Sequence, residues 1–84
     1  MQTSALDDLL PVVRDTARSL NLLDGEGRLK TLESLTLVDF AVELEANTSI
    51  EIPTSDLRVD RFSSVEEIAR LLMELRIARG TAPG

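Results

Sequence analysis

The stretch SLTLVDFAVELEAN, residues 34–47, has the most informative apolar pattern in this 84-residue chain. Its apolar residues recur at helical spacing, and Ser34 is of a type favoured at the N-cap of a helix. One face has apolar side chains at positions i, i+3, i+4 and i+7, which are Leu37, Phe40, Ala41 and Leu44. We therefore predict a helix that packs on the core through this face.

A second apolar stripe runs along the same predicted helix, at Leu35, Val38 and Val42. One interpretation is a central helix that is buried on two sides. The other is a partly exposed docking surface, because an apolar strip with an acidic rim is typical of such surfaces. The residues of this rim are Asp39, Glu43 and Glu45.

The segment before this helix is predicted to begin with another helix. Residues 4–20 place apolar side chains on one helical face, and Thr3 or Ser4 is expected to cap the start. Because the stripe stays in phase across Pro11, we expect one helix that is kinked at the proline. The stripe consists of Leu6, Leu9, Leu10, Val13, Ala17 and Leu20.

Residues 21–33 are predicted to form a long loop. Asn21 is placed to close the first helix, and the two glycines of DGEG at 24–27 interrupt any periodicity. The DGEG sequence is superficially similar to the start of a calcium-binding loop. Since the two later positions that such a loop requires are both leucine, no metal site is predicted here.

After the second helix the chain is predicted to be extended and then helical again. Residues 50–53 are expected to be extended, because proline disfavours helix at the residue before it, and residues 54–57 to form one helical turn. Ser63 and Ser64 are each followed three residues later by glutamate, which makes two overlapping capping boxes. They predict a third main helix that ends near residue 78, before Gly80.

Together these elements predict an all-α fold: a small four-helix bundle of three main helices and one short helix, with a long first loop. The chain is expected to be a single domain over residues 1–84, with an ordered core at about 4–78 and a flexible tail at 79–84. Its only aromatic residues are two phenylalanines, so the core must be largely aliphatic.

The composition excludes several classes of function. The chain has no His and no Cys, so disulfides, thiolate or imidazole metal sites and Ser–His or Cys–His nucleophile pairs cannot form. A catalyst would have to use carboxylates or the only lysine, Lys30, and no spacing of carboxylates supports this. We therefore expect neither an enzyme nor a metal site.

The charge pattern narrows the class of partner. The net charge of −6 disfavours nucleic-acid binding, and no apolar run is long enough to span a membrane. The N-terminus lacks a signal-peptide pattern, so the chain is expected to be cytoplasmic. Residues 31–57 contain six acidic and no basic residues, which indicates either a solvated acidic face or a docking face for a basic partner.

One combination of motifs resembles acyl and peptidyl carrier proteins over residues 4–78. The tripeptide ESL at 33–35 stands at the head of the acidic helix, IP at 52–53 follows it, and FSSV at 62–65 leads into the third main helix. A Glu-Ser-Leu tripeptide alone is common. The specificity of the resemblance lies in the combination within one short acidic chain.

The resemblance implies a role for Ser34. It would be the attachment point of 4′-phosphopantetheine, donated from coenzyme A by a phosphopantetheinyl transferase, and the prosthetic thiol would carry an acyl or aminoacyl group as a thioester. An acyl- or aminoacyl-loading ligase or acyltransferase would load the group, and downstream synthase or transferase enzymes would receive it. The chain itself would be a non-catalytic, monomeric phosphoprotein with no nucleic acid or membrane as partner.

By the same resemblance, residues around Ser34 would contact the partner enzymes. The apolar contacts would be Leu35, Val38 and Val42. The acidic contacts would be Glu33, Asp39 and Glu45, and Glu43 borders the same stripe.

Four positions depart from the usual pattern of the family. One is around Thr48, where the aromatic that is common just after the second helix is replaced. Glu33 replaces the usual Asp before the serine, Thr31 replaces a common Gly, and Thr36 stands where fatty-acid carriers often have an acid. These departures favour a discrete, stand-alone carrier of polyketide, non-ribosomal peptide or related aminoacyl-transfer pathways over the housekeeping fatty-acid carrier. The alternative function is a carrier-like helical adaptor that is never modified and only docks proteins.

Overall fold

The structure is a computed structural model that describes residues 5–81, with side chains described over 7–78. It consists of three α-helices and two short 3-10 helices. The α-helices are α1 (Ala5–Ser19), α2 (Ser34–Thr48) and α3 (Val65–Thr81). The first 3-10 helix is Thr54–Asp56 and the second is Val59–Phe62. Residues 5–81 contain no strand, only a single antiparallel bridge between Leu23 and Leu29. The prediction of an all-α fold is confirmed at this level.

The first helix, α1, includes Pro11 without interruption, as the in-phase apolar stripe predicts. The buried members of that stripe are Leu9, Val13 and Ala17, and Leu10 and Leu20 are partly buried against the same core. Three predicted residues lie outside the part of the chain whose side chains are described: Thr3, Ser4 and Leu6.

A Schellman arrangement ends α1. Asn21 has a φ of 60°, and its N–H donates to the carbonyl of Arg18 at 3.0 Å. The N–H of Leu22 reaches back to the carbonyl of Ala17 at 2.8 Å. These two bonds satisfy carbonyls that the helix end would otherwise leave without a partner. The prediction that Asn21 closes the first helix is confirmed.

A tight turn at residues 24–28 gives the long loop its shape. The Asp24 Oδ1 accepts hydrogen bonds from the N–H groups of Arg28 at 2.9 Å and Glu26 at 2.8 Å. These bonds hold the pKa of Asp24 below its ordinary value. Gly27 has a φ of 79°, a left-handed conformation that favours glycine, and its N–H donates to the Asp24 carbonyl.

The core lies where α1 packs against both α2 and α3, and the second 3-10 helix also packs against α2 and α3. The rings of Phe40 in α2 and Phe62 in that 3-10 helix meet edge to face, with centroids 6.1 Å apart. The residues predicted for the core face of α2 are all buried: Leu37, Phe40, Ala41 and Leu44. That prediction is confirmed. Because this face of α2 packs on the core, only the other side of the helix is accessible for a functional site.

Two predicted helix ends are wrong. Ser34 is the first residue inside α2 and not its N-cap, which is Glu33. The last helix, α3, does not end near residue 78 but continues through Gly80 to Thr81, since glycine in a helix costs only about 1 kcal/mol relative to alanine. The remainder of the predicted tail, residues 82–84, lies outside the described residues.

The start of α3 agrees in part with one of the two predicted capping boxes, the one formed by Ser64 and Glu67. The Ser64 Oγ accepts a hydrogen bond from the N–H of Glu67 at 3.1 Å, so Ser64 caps the helix. The short helix predicted at 54–57 appears as the first 3-10 helix, whereas the second one was not predicted. No helix within residues 5–81 combines the length and the apolar character needed to cross a membrane.

Candidate functional site

Ser34 lies on the surface at the first position of α2. The Glu33 before it is extended, with φ −89° and ψ 164°, and its carbonyl accepts the N–H of Leu37 at 2.8 Å. The Glu33 side chain makes no capping hydrogen bond. Within the described residues the Ser34 hydroxyl makes no hydrogen bond either, so α2 begins without using it.

The backbone around Ser34 provides a positive environment. The first N–H groups of an α-helix have no partner inside the helix, and here no side chain caps them. The first turn of α2 also contains no acidic residue. Because the positive end of the helix dipole is therefore not neutralised within that turn, a covalently held anion on Ser34 would be stabilised there.

An exposed apolar strip extends along α2 from the residue after Ser34. Leu35 is 82% exposed, Val38 43% and Val42 55%. Of the two interpretations that the sequence permits, burial of α2 on both sides is therefore wrong. We call these three residues the exposed strip. Large apolar side chains grouped on one exposed helix face are typical of surfaces that bind another molecule.

Three of the four predicted acidic contacts lie at the surface near the exposed strip. Glu33 is next to Ser34, and Asp39 and Glu43 are one helical turn apart on the outer side of α2. None of the three makes an ion pair or a hydrogen bond from its carboxylate to another described residue. Their charges are therefore available to a basic partner.

Glu45, the fourth acid, has a different environment. Its side chain is half-buried, and its Oε2 accepts a hydrogen bond from the N–H of Ile52 at 2.7 Å. This contact holds the extended segment 50–53 against the C-terminal half of α2. The structure thus uses one oxygen of Glu45 to position the backbone, a role that the sequence pattern did not indicate.

A second contact that sequence reasoning missed fixes the orientation of α2. The Asn47 Nδ2 donates to the Oγ1 of buried Thr16 at 2.9 Å, and that hydroxyl donates to the Val12 carbonyl at 2.8 Å. This joins α2 to α1 and helps to determine which face of α2 is exposed. No local signal predicts it, because Asn47 and Thr16 are 31 residues apart in the chain.

A groove of about 600 Å³ lies beside the C-terminal half of α2, and the sequence did not indicate it. It is lined by Glu45, by residues 51–54, and by Leu75 and Ala78 of α3. The lining residues include apolar ones and two acidic ones, Glu45 and Glu51. The size falls within the range of small-molecule binding sites.

The site as a whole joins an unbonded serine hydroxyl, a positive helix end, an exposed apolar strip and unpaired carboxylates. Chemically, it can hold a phosphate ester on Ser34 and bind a protein across the strip. Glu45 differs from Glu33, Asp39 and Glu43 because its side chain is half-buried and hydrogen-bonded. No family model matches the chain, and no curated protein and no solved structure gives a significant match to it.

Proposed function

We propose that this chain is a carrier protein. It holds acyl or aminoacyl groups as thioesters on a 4′-phosphopantetheine arm attached to Ser34 and delivers them to partner enzymes of polyketide, non-ribosomal peptide or related pathways. The observation that carries the proposal is the Ser34 hydroxyl, which is exposed and makes no hydrogen bond within the described residues, at the uncapped start of α2.

The residues around Ser34 fit a phosphodiester. The free N–H groups of the first turn of α2 can donate to its anionic oxygens. The arm supplies the thiol that carries the cargo, which a chain without cysteine does not itself have.

Attachment of the arm is a phosphoryl transfer in which the chain provides the nucleophile. The Ser34 Oγ forms a bond to the phosphorus that bears pantetheine, the phosphoanhydride bond of coenzyme A breaks, and adenosine 3′,5′-bisphosphate leaves. The hydroxyl proton passes to a base on the transferase, because the chain has no histidine and Ser34 has no described partner to accept it. In this proposal the chain is acted on by enzymes and is not one itself.

The exposed strip and its acids suit transient docking. Apolar contacts at Leu35, Val38 and Val42 bury surface against a partner, while Asp39 and Glu43 attract basic residues and speed the encounter. Such complexes form and dissociate quickly, as a shuttle between a loading ligase or acyltransferase and a downstream enzyme requires.

The proposal includes a carrier-type architecture. The three α-helices would be the main helices of a four-helix bundle, and the two 3-10 helices together would take the place of the fourth, short helix. Support comes from the second 3-10 helix, which packs against α2 and α3 and contributes Phe62 to the core.

Intact-mass spectrometry tests the proposal. The purified chain is incubated with coenzyme A and, in turn, with several phosphopantetheinyl transferases of broad specificity. We expect one phosphopantetheine per chain, lost in Ser34→Ala and retained in Ser55→Ala, an exposed serine of the first 3-10 helix. No addition with any of these transferases, or addition that persists in Ser34→Ala, would overturn it and leave the unmodified adaptor as the function of the exposed strip.

A further inference from the structure

The groove beside the C-terminal half of α2 has features that docking through the exposed strip does not use. Ile52, Pro53, Leu75 and Ala78 provide apolar walls, and Glu45 and Glu51 provide carboxylates. No lysine or arginine is among the described residues that line it. The groove is therefore apolar in its walls and negative in charge.

The two carboxylates are available to a ligand. Glu51 is exposed and makes no hydrogen bond or ion pair within the described residues. Glu45 uses Oε2 to accept the Ile52 N–H, and no described hydrogen bond involves its Oε1. Since Glu45 is half-buried, its charge is screened less by water than a fully exposed charge would be.

The groove lies within reach of Ser34. The two residues Ser34 and Glu45 are eleven positions apart, close to three full turns, so they project from the same side of α2 about 16 Å apart along its axis. Val38, which is 43% exposed, lies between them on that side. An extended phosphopantetheine has the length of roughly five extended residues, about 17 Å, which matches this separation.

We propose that the groove binds the cargo of the arm, and that this cargo is an aminoacyl group with an apolar side chain. The protonated amine of the cargo lies against Glu45 and Glu51, and its side chain packs on Ile52 and Leu75. This inference rests on the proposed function, since the arm on Ser34 delivers the cargo. It also selects aminoacyl over simple acyl groups, because a purely apolar acyl chain would bury carboxylates without a compensating partner.

Binding of small cargo mimics to the full-length, unmodified chain tests the inference. The probes are S-leucyl-N-acetylcysteamine and S-(4-methylpentanoyl)-N-acetylcysteamine, which differ only in the ammonium group. Each is titrated at pH 6 and low salt while amide chemical shifts are followed by NMR. We expect the leucyl probe to bind more tightly and to shift the amides of residues 51, 52, 54, 75 and 78.

Charge-neutral variants identify the groups responsible. Glu51→Gln should weaken binding of the leucyl probe by roughly two- to fivefold, the range of a partly exposed ion pair. Glu45→Gln should do the same, and its amide oxygen can still accept the Ile52 N–H. Glu66→Gln makes the same charge change at an exposed position of α3 outside the groove and should have no effect beyond that of net charge.

Three results would overturn the inference: no shifts in the groove, equal or tighter binding of the probe without the amine, or leucyl binding unchanged in both groove variants. Because Ser34 is unmodified in this experiment, its outcome does not depend on the transferase reaction. A chain that accepts phosphopantetheine but fails this test remains a carrier whose cargo does not bind in the groove.

Discussion

Replacement of Ser34 by alanine should leave the stability of the fold almost unchanged, although serine at the start of a helix is usually a stabilising cap. Ser34 is the first helical residue of α2 and its Oγ caps nothing. We expect the free energy of unfolding to change by less than about 0.5 kcal/mol, as for an ordinary surface substitution. Ser64→Ala provides the contrast, because it removes the acceptor of the Glu67 N–H and should cost about 1 kcal/mol.

Urea unfolding followed by far-UV circular dichroism measures this difference, since the chain has no Trp or Tyr to serve as a fluorescent probe. With a slope of about 1 kcal/mol/M, the lower end of the range for small proteins, Ser64→Ala should lower the unfolding midpoint by about 1 M. The corresponding fall in Tm is about 4–8 °C. The midpoint of Ser34→Ala should coincide with that of the wild type.

Ser63→Ala is the matched control, since Ser63 is exposed, adjoins a helix start and makes no hydrogen bond within the described residues. It should behave like Ser34→Ala. If Ser34→Ala destabilises the chain as much as Ser64→Ala does, the Ser34 hydroxyl is a structural cap. Its position at the start of α2 would then be explained by stability, without a modification.

Three further predictions concern the core, the exposed strip and the loop between α1 and α2. Phe62→Ala removes the ring that meets Phe40 and should lower the free energy of unfolding by about 3–5 kcal/mol; a loss below about 1 kcal/mol would contradict its burial. Val38→Asp and Asp39→Lys should each lower kcat/KM for transferase modification several-fold at unchanged stability. The effect of Asp39→Lys should decrease as the salt concentration rises. Wild-type kcat/KM in both variants would argue against docking through α2. Backbone N–H donors lower the pKa of Asp24 in the folded chain. The contribution of Asp24 to stability is therefore complete above its pKa in the unfolded chain, about 3.8, and is lost as the pH falls through its pKa in the folded chain. An NMR titration midpoint of Asp24 at or above 3.8 would contradict this.

Elements with a strong local signal could be predicted from the sequence. The core face of α2 follows from apolar spacing, and the end of α1 follows from an asparagine that tolerates a left-handed conformation. The start of α3 follows from a serine at its N-cap. In each case the residues that determine the local structure are within one or two helical turns of one another. Their pattern can therefore be recognised in the sequence without knowledge of the fold.

Features that depend on distant residues could not be predicted. The bond of Asn47 to Thr16 joins two helices, and the Glu45 carboxylate binds a backbone N–H beyond the end of its helix. Neither has a local pattern, and the groove beside Glu45 needs three separate segments to form. For the same reason Glu45 was grouped with the docking acids, because helix spacing alone cannot show that its carboxylate turns to segment 50–53.

The choice between a buried and an exposed second stripe also required the fold. Leu35, Val38 and Val42 have the spacing of a core face. They are exposed because α1 and the second 3-10 helix pack on the other side of α2, which the local sequence does not show. The N-cap of α2 shows a similar limit. Ser34 and Glu33 differ by one position, and local preference favours serine, whereas the backbone places Glu33 at the cap.

Peptide mapping after reaction with coenzyme A and a phosphopantetheinyl transferase tests whether Ser34 is the attachment site. Residues 31–57 contain no Lys or Arg, so trypsin releases one peptide, 31–58, that includes Ser34 together with Ser49 and Ser55. Tandem mass spectrometry should place a single phosphopantetheine on Ser34 of this peptide. A modification on either of the other serines, or an unmodified peptide with every transferase tried, would contradict the assignment of Ser34 as the attachment site.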